Sequence, residues 1–523
     1  MKAARPAFVI GFLFLVVVFS SAQTNIYIAQ NAAGANSGAD CADAHSAAWF
    51  NTSANWGSGA TQIGPGDTVH LCGTFAAATA NSSMLTVQGS GSSGSPITIL
   101  FESGAVLTSP SWGNNGAINV NGKQYITING DTSGGRQGVI RNTAAGTSAG
   151  NATLTTRGIS CSSGSSGGCH HLIVKNITIG PIYIHVPNAT NIDQANTNAI
   201  QCWPCDNVTI DNVLAHDAGW MVNANGNNLT LSNSDLYNFD HGIAFGPGSN
   251  VGGLTVVGNH FHDMANWDTG SADAYHHDYI HIWATGVTFT GGNIYNNTFD
   301  GDSGTCCTTA HIFLEDRVTN LHVFNNVFIT PPGRTINILW PEGNSPRGLN
   351  NAFYNNYIDA GSAGGDSGMF SRNQDGLIVI NNYWRQGATM ISLQSSAPAS
   401  INNNMYEQPG SWGYGSTDTG SFATWKGLLP AGSGQDSASQ FDTAASTNMD
   451  GTGHPQAGSA AIGAAQNLSA LCAKNGGSLP DALCADAAGA SRPASGAWDI
   501  GAYQLGSSAS APTPPSALTA IVQ

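Results

Sequence analysis

An asparagine recurs through the middle of this chain at nearly the same place in a short β-rich unit, and this repeat constrains the fold more than any other feature. Each copy is a run of β-formers, then Asn, then any residue, then an apolar residue, as in VTIDNVL (208–214) and LHVFNNVF (321–328). The asparagines span 228 residues with a mean period of 28.5 residues. They are Asn176, Asn212, Asn233, Asn259, Asn297, Asn326, Asn356, Asn382 and Asn404.

A second short β-rich run follows the asparagine in most units, for example YIHIW (279–283) and TMISL (389–393). Two or three short strands per unit, with Asn at a fixed corner, describe one coil of a parallel β-helix. A single coil cannot bury its apolar face, whereas stacked coils share a continuous core, and stacked Asn side chains can hydrogen-bond one another. A β-sandwich or propeller would show hairpin turns roughly every 8–12 residues, and the sequence does not. We therefore predict an all-β, parallel β-helix solenoid.

Composition agrees with this fold and excludes others. Charged residues make up 9% of the chain, against about 25% in an ordinary soluble domain. A disordered chain would be rich in charge and poor in apolar residues, and a coiled coil would be rich in Ala, Glu, Lys, Leu and Arg. The formal charge is −16, which repels phosphate backbones, so we expect no nucleic-acid partner.

The first 22 residues predict export. Lys2 and Arg5 precede the apolar run 8–19, and Ser20-Ser21-Ala22 provides small residues for cleavage, which is typical of a signal peptide. A membrane anchor is the alternative, but the run is shorter than the ~20 residues needed to span a bilayer. We expect a secreted, extracellular protein without a transmembrane segment in the mature chain, and a Ser/Ala/Pro-rich disordered tail over 506–523.

Ten cysteines fall into five close pairs, as expected for disulfides in an exported chain. The pair Cys202/Cys205 has the spacing of a redox motif, but no βαβ pattern surrounds it, so we expect a structural bridge. Cys306 and Cys307 are adjacent and would form a vicinal disulfide, or each would pair elsewhere. The predicted pairs are Cys41/Cys72, Cys161/Cys169, Cys202/Cys205, Cys306/Cys307 and Cys472/Cys484.

The Asn-centred coils over 156–407 resemble those of the right-handed parallel β-helix proteins of the pectin-lyase-like superfamily. PGDTVHLCGTF (65–75) and SPITILFESGAVL (95–107) are similar to the N-terminal coils of that group. GSAAIGAA (458–465) and RPASGAWDIGAYQ (492–504) are similar to the C-terminal region of a bacterial branch, the choice-of-anchor Q proteins, whose final motif closes the helix.

The resemblance implies N-terminal coils and a cap over 23–155, the Asn-ladder helix over 156–407 and an irregular C-terminal cap over 408–505. It implies no single activity, since this fold hosts lyases, hydrolases, epimerases, adhesins and phage spikes.

Two consecutive coils carry long insertions, and insertions in a solenoid often form the binding face. Asn259 is 21 residues before Ile280, and Asn297 is 15 before Ile312, whereas the same interval is 9 or 10 residues in other coils. The insertions are 262–278 and 300–309, and a third follows at 340–348.

Strand alternation predicts which side chains near the insertions point outward. With Ile243, Ile280, Ile312 and Ile336 aligned as core positions, a patch about 15–20 Å long should form over four coils. The predicted patch contains His241, Asp278, Tyr279, His281, His311, Arg334 and Asn337. The predicted substrate-binding residues are Trp267, Tyr275, His276, His277, His241, Asn337 and Trp340, with the aromatic rings stacking on sugars.

A polysaccharide lyase is the preferred function, with a polysaccharide as partner and a monomer favoured. Such an enzyme removes the proton next to a uronate carboxylate and needs a base of tuned pKa, for which His281, His311 or Tyr279 would serve. Arg317 and Arg334 could hold the carboxylate. Alternatively, Asp278, Glu315 and Asp316 could hold Ca²⁺ as the neutralising cation.

Three alternatives stay open. A glycoside hydrolase would pair Asp278 with Asp302, Glu315 or Asp316, and the acidity of the chain suits a neutral glycan better than a polyuronate. A non-enzymatic surface or matrix protein would need only a stiff rod with a glycan-binding face. A transition-metal site could use His277, His281 and His311, although their spacing matches no metal motif.

Overall fold

The computed structural model describes residues 24–144, 155–162, 168–182, 197–264, 276–304, 308–331, 336–361 and 367–506. It is a right-handed parallel β-helix, as predicted. Between named strands of these residues every pairing is parallel except one, the hairpin of Trp412–Tyr414 with Thr417–Thr419 near the C-terminal end of the stack. The predicted signal peptide, residues 507–523 of the predicted tail and the Cys306/Cys307 pair lie outside the described residues.

The N-terminal coils contain ten strands and a short helix, α1 (Ala47–Phe50). Helix α1 packs against the first coils, and its Phe50 ring contacts Trp56 edge-on at 4.9 Å. The strands are β1 Asn25–Ala29, β2 His45–Ser46, β3 Thr68–Leu71, β4 Thr74–Ala76, β5 Leu85–Thr86, β6 Ile97–Phe101, β7 Val106–Ser109, β8 Ile118–Asn119, β9 Ile126–Asn129 and β10 Gly138–Asn142.

The middle coils contain the longest strands, because several of them run around a bend from one face of the helix to the next. Their strands are β11 Thr156–Ser162, β12 Cys169–His170, β13 Leu172–Ile179, β14 Thr197–Trp203, β15 Cys205–Asp206, β16 Val208–Ala224, β17 Leu229–Ser232, β18 Asp235–Phe245, β19 Val251–Val257, β20 His260–His262, β21 His277–Tyr295, β22 Thr298–Asp300, β23 Thr308–Phe324, β24 Val327–Ile329 and β25 Asn337–Glu342.

The last coils complete the stack. Their strands are β26 Gly348–Leu349, β27 Ala352–Tyr354, β28 Tyr357–Asp359, β29 Ser367–Arg372, β30 Gln374–Ile380, β31 Tyr383–Arg385, β32 Thr389–Gln394, β33 Ala397–Asn402, β34 Met405–Glu407, β35 Trp412–Tyr414, β36 Thr417–Thr419 and β37 Gln440–Asp442. Two helices follow β36, α2 (Phe422–Leu428) and α3 (Ala444–Thr447). Short 3₁₀ turns lie at Cys41–Asp43, Ser53–Asn55, Ser469–Leu471, Ala473–Asn475 and Asp481–Cys484.

One row of buried apolar side chains shows how the coils stack. Each member pairs in register with the next through ten successive coils, and each is almost fully buried, so the coils share one continuous core. The row is Ile159, Ile200, Val222, Ile243, Ile280, Ile312, Leu339, Met369, Ile391 and Trp412. We call the strands that carry this row the site sheet.

The asparagine ladder exists, but it is shorter than predicted. Six of the predicted asparagines form it, and the side-chain amide of each donates to Oδ1 of the next at 2.9–3.3 Å. They are Asn259, Asn297, Asn326, Asn356, Asn382 and Asn404, all buried.

The other three asparagines lie one position earlier at the same corner. Asn176, Asn212 and Asn233 have φ of 54°, 52° and 50°, a left-handed conformation that Asn tolerates better than most residues. Ser234 takes the ladder position in its coil, since its backbone N–H donates to Oδ1 of Asn259 at 2.9 Å. The prediction of nine equivalent asparagines is therefore wrong by one residue in these three coils.

The C-terminal region covers both the end and the flank of the helix. Phe422 of α2 packs on the rings of Tyr406 and Trp412 in the last coils. Residues 448–504 run back along the Asn corner, where buried Arg492 donates to Oδ1 of Asn325 at 3.2 Å. The 492–504 motif thus packs on the flank of the helix, which differs from the closing position that the resemblance implies.

Four of the five predicted disulfides are confirmed: Cys41–Cys72, Cys161–Cys169, Cys202–Cys205 and Cys472–Cys484. No helix in the described part of the chain is both long and apolar enough to cross a bilayer.

Candidate functional site

Three outward-facing rows of side chains lie on the site sheet where the two long insertions adjoin it. The first row runs Trp220, His241, Asp278, Ala310 and Asn337 across five coils. The second runs Ala244, His281, Phe313 and Trp340, and the third runs Trp283, Glu315, Glu342 and Arg372. Because coils are about 4.8 Å apart, these rows bring residues distant in sequence into contact.

Asp240 holds the first row together. It is fully buried and accepts a hydrogen bond from Trp220 Nε1 at 3.1 Å. Its Oδ1 also contacts Nδ1 of His241, and its Oδ2 contacts Nδ1 of His277. Because Nδ1 of His241 contacts Asp240, the other ring nitrogen of His241 faces the next coil. This Nε2 atom lies 3.6 Å from Oδ2 of Asp278.

Asp278 is the centre of the group. It is fully buried, and its Oδ1 accepts a hydrogen bond from the backbone N–H of Ala310 at 2.8 Å. Its Oδ2 lies 2.6 Å from Nδ1 of His276 and 3.9 Å from Nδ1 of His281. The side chain of His276 is 36% exposed. The imidazole of His276 therefore lies between the buried carboxylate and solvent.

His281 connects the histidine group to a second carboxylate. Its Nε2 lies 3.1 Å from Oε2 of Glu315, and its ring stacks on Phe313 with centroids 4.7 Å apart. The residue is 6% exposed, and the side chain of Glu315 is 32% exposed. Glu315 is therefore the more accessible partner of this pair.

Aromatic side chains occur in all three rows. Trp340 packs on Phe313 at 5.0 Å, Trp283 on His281 at 4.8 Å, and Trp220 on Trp283 at 6.0 Å. Aromatic faces of this kind can stack on the apolar faces of sugars. Beside them Glu342 forms an ion pair with Arg372 on the following coil.

Burial and neighbouring charges shift the pKa values of the titratable groups in opposite directions. Burial raises the pKa of Glu315, and the neighbouring Asp316 raises it further. Burial lowers the pKa of His281 well below its usual value, against the opposing charge of Asp278. Burial by itself would raise the pKa of Asp278, but His276, His281 and His241 outweigh it and hold that pKa below the ordinary range. Paired groups with pKa values driven apart are typical of acid–base sites.

The predicted outward position of Tyr279 and His311 is wrong. Both side chains are fully buried in the core, with ring centroids 4.4 Å apart. Burial lowers the pKa of His311 to about 3 and raises that of Tyr279. Neither side chain can contact a substrate, so neither can serve as the base. Two successive side chains, Tyr279 and Ile280, enter the core, so the expected alternation does not hold at this point of the strand.

The predicted alignment of Ile336 is also wrong. Ile312 pairs with Leu339, three residues later. This register places Trp340 beside Phe313 and inside strand β25, so the third insertion begins only after Glu342. The same register moves Asn337 from the predicted alignment with His281 to the first row, two coils from Asp278.

The structure brings together His241, Asp278 and His281 of the predicted patch with His276 of the predicted substrate-binding residues. His277 lies behind them, fully buried against Asp240. His277 and His311 are therefore not in the group that gathers around His281, contrary to the transition-metal set considered from sequence. Trp267, Tyr275 and Arg334 lie outside the described residues. Arg317 is half-buried and follows a left-handed bend at Asp316 (φ 64°).

The predicted calcium ligands do not gather into one site. Asp278 is surrounded by imidazoles, Glu315 faces His281, and Asp316 accepts hydrogen bonds from Thr285 at 2.6 Å and Asn344 at 2.5 Å. The three carboxylates do not form a group able to share one ion among the described side chains. Asp302 is one of the carboxylates predicted to pair with Asp278 in a glycoside hydrolase. It lies in the turn after β22, where its backbone N–H donates to Asp263.

Sequence reasoning missed Asp240, Trp220, Phe313 and the pairing of Glu315 with Glu342. A usable signal was present for the first two, because DAGWMV (217–222), FDHGIAF (239–245) and HHDYIHIW (276–283) align without a gap in the observed register. Phe313 follows the core residue Ile312 and would point outward by strand alternation, and the pairing of Glu315 with Glu342 depends on the pairing of Ile312 with Leu339.

Comparison with known proteins yields distant structural likenesses. No protein-family model and no curated protein sequence matches the chain. The pectate lyase Pel9A is similar at a TM-score of 0.40 and 14% identity, over 93% of this chain and 97% of the other. A mannuronic acid specific family 6 lyase from human gut microbiota has a TM-score of 0.42 and 14% identity, over 76% and 77%. PfbA, a surface adhesin of Streptococcus pneumoniae, has a TM-score of 0.35 and 11% identity, over 67% and 86%. These likenesses do not assign an activity.

Proposed function

We propose that this protein is a secreted polysaccharide lyase that cleaves a uronate-containing glycan by β-elimination on the site sheet. The observation that carries the proposal is the pair of His281 and Glu315, 3.1 Å apart, beside aromatic rings on consecutive coils. It combines an accessible carboxylate of raised pKa with a surface suited to sugar rings.

Glu315 is the proposed base. It removes the proton from the carbon next to the uronate carboxylate, the electron pair forms a C=C bond, and the bond to the leaving glycosidic oxygen breaks. A carboxylate is a stronger base when its pKa is raised, which is the direction that burial and Asp316 impose on Glu315. His281 is a positioning residue, because its Nε2–H holds the carboxylate in place.

The histidine group is the proposed binding site for the uronate carboxylate. β-Elimination develops negative charge on that carboxylate, and preorganised donors aimed at it lower the barrier. His276 stands at the rim and is oriented by Asp278 at 2.6 Å, so its imidazole can meet the substrate. Trp340, Phe313 and Trp283 would support neighbouring sugar units.

A glycoside hydrolase is the second candidate, and one observation favours it. Glu315 and Glu342 are register partners on adjacent coils, and their surroundings differ. Glu315 has a raised pKa, as a general acid requires, while Glu342 is ion-paired with Arg372. Two carboxylates in such different environments are the arrangement that glycosidases use.

One incubation separates these possibilities. Purified protein is mixed with a panel of polyuronates and neutral glycans, and each mixture is followed by ultraviolet absorbance and by reducing-end assay. The lyase produces both an absorbing unsaturated end and a reducing end. Reducing ends without absorbance indicate the hydrolase, and binding without either product indicates a glycan-binding rod.

Export to the extracellular space is part of the proposal. The signal-peptide pattern of residues 1–22 supports it, and so do four disulfides, which persist in oxidising compartments. Membership of the choice-of-anchor Q branch is proposed on residues 458–465 and 492–504 alone. N-terminal sequencing of protein from the culture medium tests export, with a mature chain beginning near Gln23 expected.

A further inference from the structure

We propose that His241, His276, Asp278 and His281 bind a divalent transition-metal ion such as Zn²⁺. Each residue offers one nitrogen or oxygen atom, and the four atoms lie within 4.8 Å of one another. Ligand atoms around one tetrahedral Zn²⁺, with bonds of about 2.0–2.1 Å, are about 3.3 Å apart. The observed separations from Asp278 Oδ2 are 2.6, 3.6 and 3.9 Å, so a small shift of side chains would close the group around an ion.

Hydrogen bonding alone does not explain why three imidazoles surround this carboxylate. Of the three imidazoles, only that of His276 is within hydrogen-bond distance of Asp278 Oδ2. Nε2 of His241, at 3.6 Å, and Nδ1 of His281, at 3.9 Å, are too far away to bond to it. These two ring nitrogens nevertheless point into the same small space, which is what a shared ion requires.

The groups behind the ligands form the outer shell that metal sites have. A metal-binding histidine usually donates its other ring N–H to a carboxylate, which fixes its orientation. Here Nδ1 of His241 contacts Asp240, and Nε2 of His281 lies 3.1 Å from Glu315. Asp278 is itself fixed by the backbone N–H of Ala310 at 2.8 Å. Both buried histidines therefore present the remaining nitrogen inward.

The donor set selects the kind of metal. Three imidazoles and one carboxylate suit Zn²⁺ and its neighbours, whereas Ca²⁺ and Mg²⁺ prefer oxygen ligands. His241, Asp278 and His281 are almost fully buried, and His276 lies at the rim. The open side of the group is therefore at His276.

The role of the ion rests on the proposed function. In a lyase, the bound cation would supply the positive charge that neutralises the uronate carboxylate. The binding site itself stands on the geometry of the four side chains and does not depend on which glycan is cleaved.

A second histidine–aspartate group provides a matched control. Asp235, His260 and His262 also lie close together, on the outer surface near the Asn corner. Both nitrogens of His262 are already within hydrogen-bond distance of carboxylates, Asp235 at 3.0 Å and Asp263 at 2.8 Å. That group therefore forms an ion-pair network, and His262→Ala should leave metal binding on the site sheet unchanged.

The proposal is tested directly by measuring how many Zn²⁺ ions the protein binds and how tightly. Untagged protein is stripped with a chelator, dialysed against Zn²⁺, and analysed by mass spectrometry of the metal and by titration calorimetry. We expect one tightly bound ion per chain in the wild type and in His262→Ala. His241→Ala and Asp278→Asn should lower the affinity at least tenfold, with circular dichroism confirming the fold. No stoichiometric binding by the wild type, or loss of the ion in His262→Ala alone, overturns the proposal.

Two further measurements test the site if the variants at buried positions do not fold: a variant of the exposed His276 and the absorption spectrum of bound Co²⁺. His276→Ala removes a side chain at the surface, and it should also weaken binding at least tenfold. Co²⁺ added to the wild type should give the visible absorption of a tetrahedral nitrogen–oxygen site, and the spectrum of an octahedral aquo ion contradicts it. Metal binding without glycan cleavage refutes the proposed function alone, and glycan cleavage by metal-free protein with no stoichiometric uptake refutes the metal site alone.

Discussion

Nε2 of His281 lies 3.1 Å from Oε2 of Glu315, a residue on the adjacent coil and 34 positions later in the sequence. The stack of coils creates this contact, because the register pairs His281 with Phe313 and Trp283 with Glu315. The pair combines a buried imidazole with a half-exposed carboxyl group, and it is the part of the site on which the proposed chemistry depends.

The negative charge of Asp316 should shift the acid limb of the pH–activity profile. This residue raises the pKa of Glu315, and the base must be ionised, so activity should fall on the acid side at a higher pH than for an ordinary glutamate. Asp316→Asn removes the neighbouring negative charge and should shift that acid limb to lower pH. pH–rate profiles measure the shift, with Asp418→Asn on the exposed β36 as the control that should leave the profile unchanged.

Removal of one rung of the asparagine ladder should destabilise the helix. Asn326 accepts from the backbone and side chain of Asn297, and its own amide donates to Ile294 and Asn356. Asn326→Ala leaves buried donors unsatisfied at about 1–3 kcal/mol each, so Tm should fall by several degrees. Asn114→Ala, at an exposed asparagine outside the ladder, should not change Tm. Equal Tm values for the two variants would show that the ladder does not stabilise the fold.

Stability should decrease in mildly alkaline solution because of His262. Hydrogen bonds to Asp235 and Asp263 raise its pKa from 6.5 to about 9. A raised folded-state pKa gives stability that is fully present below pH 6.5 and is lost as the pH rises through about 9. The side chain is partly exposed, which limits the size of the effect. Tm measured from pH 6 to 10 should fall more in the wild type than in His262→Gln, and NMR titration of the His262 ring checks the pKa itself.

Mass mapping of non-reduced peptides should recover the four disulfides of the structure. Links between Cys41 and Cys72, Cys161 and Cys169, Cys202 and Cys205, and Cys472 and Cys484 are expected. The vicinal Cys306–Cys307 bond stays a prediction from sequence. A peptide that joins either of these cysteines to another part of the chain would refute it.

The architecture could be predicted from the sequence because stacked coils need similar residues at equivalent positions, which makes the repeat visible. The Asn corner is visible in the sequence, since a buried asparagine on each coil needs an asparagine or a similar residue on the next. The one-residue error at Asn233 arose because asparagine suits both the ladder and the left-handed position before it, as the doublets Asn325-Asn326 and Asn381-Asn382 show.

The site was harder to predict because it depends on register across insertions. Ile336, Ile338 and Leu339 are all buried, so an apolar pattern cannot tell which of them pairs with Ile312. Alternation fails at Tyr279, since two successive side chains of β21, Tyr279 and Ile280, enter the core. His241, Asp278 and His281 were identified because the pairing of His241 with Asp278 and of Ala244 with His281 keeps one register without a gap.

The most direct test of the proposed lyase compares Glu315→Gln with Glu102→Gln. Glu102 pairs with His70 at 2.6 Å in the N-terminal coils, so it matches Glu315 in residue type and partner but lies on other coils. On a uronate glycan that the wild type cleaves with a rise in ultraviolet absorbance, Glu315→Gln should be slower by about 10²–10⁴-fold, the usual contribution of a positioned base. Glu102→Gln should keep the wild-type rate. Full activity of a correctly folded Glu315→Gln, or cleavage without the unsaturated product, would contradict this account.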